Sequence, residues 1–186
     1  MLKKLLTVLL FSTFLFGGQE LYLKTNSVLY QDADTNKALG NLIVSSKVTE
    51  LSKSGEYSKV EFIGYQPEGS EVVYEKVGVI MLGFEIGDAS SLKVVGEEKD
   101  EYDTVWLKVS ATGYVKSEDL GKSKDEISKL GKELFSERCG SCHALHHEDE
   151  FDANVWPSIL DGMGVMAGLS DNEKLLIEKY LQNYHK

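Results

Sequence analysis

The chain has 186 residues, 42% of them apolar and only two of them proline, which supports one medium or two small packed domains and excludes a mostly disordered protein. A formal net charge of −10 makes nucleic acid and anionic lipid repulsive as partners, and favours a basic patch on another protein.

In chain order, Lys3 and Lys4 precede an apolar run from Leu5 to Phe16 that ends at Gly17-Gly18. Twelve residues are few for a bilayer span, so residues 1–18 read as a cleaved export signal rather than a retained anchor. The expected location is therefore the periplasm, with no membrane span after cleavage.

Residues 21–120 carry strand signals and neither His nor Cys. Tyr57-Ser-Lys-Val-Glu-Phe62 and Trp106-Leu-Lys-Val109 alternate polar and apolar, and Val72 to Phe84 is rich in β-branched and aromatic residues. Glycines near turn-like stretches set the short spacing of a small barrel or sandwich. Val28-Leu-Tyr30, the run Leu51 to Val60, and the ending Trp106 to Val109 with Gly113 to Leu120 resemble bacterial SH3-like domains. Residues 66–103 are long for that pattern and read as an inserted hairpin. The resemblance implies a binding or positioning module and carries over no ligand-binding residue.

From Asp125 the apolar spacing turns helical, with Ile127, Leu130, Leu134 and Phe135 on one face. Ser123 with Glu126, and Ser170 with Glu173, match capping boxes at two helix starts. The expected fold class is thus two-domain: an all-β SH3-like barrel over 21–120, then a small all-α domain over 125–186. The second is too small to hold much core of its own, and a prosthetic group would supply one.

Both cysteines lie in Cys139-Gly-Ser-Cys142-His143. C-x-x-C-H is the attachment motif of c-type haem. Two thiols about one turn apart reach the two vinyl groups on one edge of the macrocycle, and the next residue aims its imidazole at the iron. The competing readings are a redox C-x-x-C, which lacks the surrounding βαβ pattern, and a zinc site recruiting His146 or His147. Those two histidines stand in a polar His-His-Glu-Asp-Glu run that reads more simply as a solvated loop.

One covalently attached haem c needs a sixth ligand from a separate segment. Met163, Met166 and His185 are the candidates. Met163 is favoured because glycines flank it, Gly162-Met-Gly164, as in a loop laid against a haem. A thioether ligand raises the potential and leaves no open iron position, which favours electron transfer over enzymatic turnover. Arg138 and Trp156 are candidate donors to the haem propionates, and both are equally compatible with ordinary surface or core roles.

The flanks resemble class I cytochrome c. Gly131-Lys-Glu-Leu-Phe135 before the motif and Ile177-Glu-Lys-Tyr180-Leu181 at the end match its two crossing helices, which implies that Tyr180 presses on Gly131. The run Cys139 to His143, Phe151-x-Ala-Asn154-x-Trp156-Pro157-x-x-Leu160-x-x-Met163, then Leu169-Ser and Tyr180-Leu-Gln182 resembles the C-terminal monohaem domain of trimethylamine N-oxide reductase cytochromes, the TorC family. The resemblance implies His143 and Met163 as axial ligands, a periplasmic molybdopterin reductase of N-oxides or S-oxides as partner, and an upstream cytochrome as donor. Those relatives carry a membrane-anchored multihaem part, whereas this chain has a β segment and a single haem motif. The rival functions are an electron acceptor for a dehydrogenase of sulfite or a similar substrate, a haem peroxidase with an open iron, and a sensor or wall-binding module using the β segment.

Overall fold

A computed structural model describes residues 18–34 and 37–184, so the expected export signal, apart from Gly18, and the candidate ligand His185 lie outside the described residues. Ten strands come first: β1 Gln19–Leu23, β2 Ser27–Tyr30, β3 Ala38–Leu42, β4 Lys47–Ser54, β5 Tyr57–Pro67, β6 Val72–Lys76, β7 Val79–Ile86, β8 Leu92–Lys99, β9 Val105–Lys116 and β10 Leu120–Gly121. Three helices follow: α1 Lys124–Cys139, α2 Trp156–Met166 and α3 Asp171–Tyr184.

The strands form one sheet in the order β10-β1-β4-β5-β6-β7-β3-β2-β9-β8, and an added β5–β9 pairing closes its middle into a barrel. The alternation seen in the sequence is what allows this. Ser58, Val60, Phe62 and Gly64 of β5 point inward in steps of two, while their neighbours are more exposed. β9 runs antiparallel to β5 along its whole length, from Tyr57 opposite Lys116 to Pro67 opposite Trp106. On its other side β5 borders β4 first, with Tyr57 opposite Ser54, and then β6, with Tyr65 opposite Tyr74. Leu29, Leu42, Val60, Phe62, Val73, Phe84, Val109, Ala111 and Val115 fill the interior with almost no exposure. At roughly 1.5–3 kcal/mol per fully buried large apolar side chain, this is the main source of the barrel's stability.

The helices begin where the capping signals predicted. Ser123 Oγ accepts from the Glu126 amide at α1. At α3, Ser170 and Glu173 bond reciprocally, each side chain taking the other's backbone N–H. The pairing of Gly131 with Tyr180 is also present. A Cβ at Gly131 would lie 2.7 Å from Tyr180 Cβ and 2.9 Å from the Leu176 carbonyl oxygen, so only glycine lets α1 and α3 approach this closely.

The expected fold class is corrected. Strands dominate the chain, and the three helices do not stand as a small all-α domain after the barrel. In α3 six successive residues, Ile177 to Gln182, are buried, so the helix is covered on all sides rather than along one stripe. One face meets α1 and the aromatic cluster of Phe135 and Trp156. Another reaches the sheet, where Lys179 Nζ pairs with Glu75 of β6 and donates to Ser46 Oγ. A further apolar cluster joins Ile43 and Val44 to Ile127 of α1 and Leu175 and Leu176 of α3.

Candidate functional site

Helix α1 ends at Cys139, with Gly140 as its C-cap donating to the Ser136 carbonyl. The chain then turns through Cys142 and His143, held by Ser141 Oγ donating to the Arg138 carbonyl at 3.0 Å. These residues form one wall of a cleft of about 240 Å³. The opposite wall comes from the end of α2. The lining residues are Arg138, Cys139, Cys142, His143, Met163, Met166 and Ala167. Six of the eight residues singled out in the sequence therefore line one cleft; Trp156 does not, and His185 lies outside the described residues.

Neither cysteine is in a disulfide. Burial pushes the Cys139 thiol above its ordinary range. His143 is exposed in the cleft wall, and its Nδ1 lies 2.7 Å from the Ala144 carbonyl oxygen. With Nδ1–H donating there, the tautomer is set and the Nε2 lone pair is free to act as a ligand. His146 and His147 are engaged elsewhere. His146 Nδ1 lies 3.0 Å from Glu150 Oε2, and His147 Nδ1 lies 2.5 Å from Asp149 Oδ1. Among the described residues no group of three or more His, Cys, Asp or Glu is arranged to hold a metal ion.

Met163 and Met166 stand one turn apart on α2, not in a glycine-rich loop as the sequence implied. Pro157 at the helix start and the buried Trp156 and Leu160 carry the helix through Gly162 and Gly164. Met163 is half-buried, and Met166 is 81% exposed. Arg138 pairs with Glu173 at 2.9 Å through Nη2, while its Nε is buried without a partner among the described residues. Trp156 sits 1% exposed between Phe135 and Phe151, at ring distances of 6.1 and 5.1 Å. Its Nε1 is likewise buried and unpartnered among the described residues.

These features fit a covalently attached haem. Two thiols and an imidazole with a free nitrogen face two thioethers across an apolar gap. In the cleft wall Arg138 Nε is buried without an acceptor among the described residues, a costly state that a carboxylate of a bound group would relieve. Sequence reasoning missed Ala167 in the wall and the roles of Asn154 and Gln182, which tie the segment before α2 to the barrel. Gln182 carried a signal in being polar within the apolar run of α3, and Asn154 in its place just ahead of Trp156-Pro157.

The model of the TorC third cytochrome c domain family matches residues 16–120, more than half of the chain. That stretch contains no Cys or His, so the family match and the C-x-x-C-H motif are separate observations. It also corrects the contrast drawn from the sequence, because the β segment is shared with the family. Cytochrome c-type protein TorY of Escherichia coli O157:H7 is 31% identical over 139 residues, covering 73% of this chain and 38% of that protein. Cytochrome c-type protein TorC of Escherichia coli K12 is 26% identical over 171 residues, covering 89% of this chain and 44% of that protein. An alignment of that extent necessarily crosses Cys139–His143. The chain spans less than half the length of these curated relatives. No solved structure matches it. No helix among the described residues is long and apolar enough to cross a membrane. The chain belongs to the TorC third cytochrome c domain family.

Proposed function

We propose that the chain binds one haem c through thioethers to Cys139 and Cys142, with His143 Nε2 and Met163 Sδ as axial ligands, and serves as an electron carrier in the periplasm rather than as an enzyme. The observation that carries this reading is the convergence of Cys139, Cys142, His143 and Met163 on one cleft. The bound haem supplies a one-electron iron couple. The Ala144 carbonyl orients His143 by accepting from Nδ1, which also makes the ligating nitrogen more basic. Met163, across the cleft from His143, would supply a thioether ligand, which favours the reduced state. Arg138 Nε would donate to a propionate, with Glu173 holding its guanidinium in place, whereas Trp156 lies outside the cleft lining and packs the core between Phe135 and Phe151.

In this reading residues 125–186 carry the haem and residues 21–120 form the part that positions it. The electron acceptor is a molybdopterin reductase of trimethylamine N-oxide or related N- and S-oxides, and the donor is an upstream cytochrome. The support is the family membership and the similarity to TorC and TorY cytochromes. The net charge of −10 favours encounter with a basic surface on either partner.

The test uses purified, chemically reduced protein and follows its α-band. Reoxidation is expected when a periplasmic extract of the native host and trimethylamine N-oxide are both present, and not with either alone. Absence of reoxidation, together with reduction of the oxidised protein by sulfite and extract, would reverse the direction of electron flow and refute the reductase assignment.

A further inference from the structure

Helix α2 carries Met163, yet its N-terminus has no side-chain cap of its own: Val155 occupies the cap position and makes no such hydrogen bond. The position of α2 is set from outside. Asn154, just before that cap, uses both ends of its amide on the β6–β7 hairpin. Its Nδ2 donates to the Gly78 carbonyl at 2.8 Å, and its Oδ1 accepts from the Ile80 amide at 2.9 Å. The side chain thus mimics one rung of a strand ladder between segments more than 70 residues apart. Beneath it, Gln182 of α3 is 1% exposed, and its Nε2 donates to the carbonyls of Ala153 at 3.2 Å and Ile80 at 3.4 Å. Ile80 therefore turns both backbone groups toward the helices, and one amide pair fixes hairpin, α2 and α3 together.

We propose that the β6–β7 hairpin sets the register of α2, with Asn154 and Gln182 as positioning residues that determine where Met163 stands over the cleft. The proposal rests on Met163 as the axial ligand and adds a structural role for the β segment. The hairpin turn itself is suited to this. Val77-Gly78 is a two-residue connection with Gly78 at φ +72°, a compact tip whose carbonyl is held in a fixed direction.

The experiment compares the haem-loaded full chain with Asn154→Ala and Asn154→Asp, the latter keeping the acceptor for Ile80 and losing the donor to Gly78. Asn154 lies at the exposed rim, so both variants are expected to fold. Hydrogen exchange of the Ile80 amide reads the tie itself. The near-red band and the reduction potential read the Met163 position. Asn154→Ala is expected to speed exchange at Ile80 about tenfold. It is expected to weaken the band and to shift the haem redox equilibrium about tenfold, or 59 mV, toward the oxidised state. Asn154→Asp is expected to fall between Asn154→Ala and the unmodified protein. Unchanged exchange at Ile80, or faster exchange with band and potential unchanged, overturns the proposal while leaving Met163 as ligand. An unmodified protein without the band refutes Met163 as the ligand, and the proposal falls with it.

Discussion

Met163→Ala is expected to abolish the weak near-red band of the ferric protein and to lower its reduction potential on the order of 0.1 V. At 59 mV per tenfold for one electron, that shifts the equilibrium with a redox partner by roughly fiftyfold. The reason lies in the geometry of α2. Both methionines line the cleft opposite His143, but Met163 is half-buried and Met166 is 81% exposed at the helix end. A thioether already packed in the wall loses less freedom on binding iron than one free in solvent. Met166→Ala should leave both observables unchanged. Loss of the band in Met166→Ala with retention in Met163→Ala would exchange the two assignments, and retention in both would place the ligand outside α2.

Lys179→Met should cost about 3–5 kcal/mol of folding stability. Its ammonium is the buried link between α3 and the barrel, paired with Glu75 and donating to Ser46 Oγ. Burial pulls its pKa below the ordinary lysine value, with Glu75 opposing that shift. Removing the cation leaves the Glu75 carboxylate largely enclosed, with Ser46 Oγ at 2.8 Å still donating to it. The double variant Glu75→Leu, Lys179→Met should recover most of the loss, because an apolar pair replaces an ion pair that had to be desolvated. Denaturant melts of the four proteins measure this. If Lys179→Met loses less than about 1 kcal/mol, the ion pair does not hold the helices to the sheet.

These two residues show what the sequence made legible. The haem motif needed only spacing, since thiol, thiol and imidazole follow one another within five positions. Strands β5 and β9 were visible because their alternation has a period of two, and the capping boxes because four consecutive residues carry them. Gly131 and Tyr180 emerged from a family resemblance rather than from the pattern alone. A barrel was expected, but the pairing that closes it was not legible, because β5 pairs with β4, β6 and β9 and nothing local announces three partners. The docking of α3 was hidden for a different reason. No local spacing shows that Lys179 and Gln182 are buried, with Glu75 and the Ile80 carbonyl of the sheet as their partners. A helix with charged and amide residues on its second buried side looks amphipathic in sequence. That is why a separate helical domain was expected and a barrel with packed helices is found. Met163 was read as a loop residue because glycines surround it, but Trp156 and Leu160 anchor the helix firmly enough to carry both glycines.

The most direct test is the intact mass of the purified protein after denaturation, read beside its pyridine haemochrome spectrum. One haem per chain is expected, retained under denaturing conditions, with both thiols blocked to alkylation, and a chain with Cys139 and Cys142 replaced by Ser is expected to carry no covalent haem. A denatured chain of unmodified mass with two free thiols would contradict that expectation.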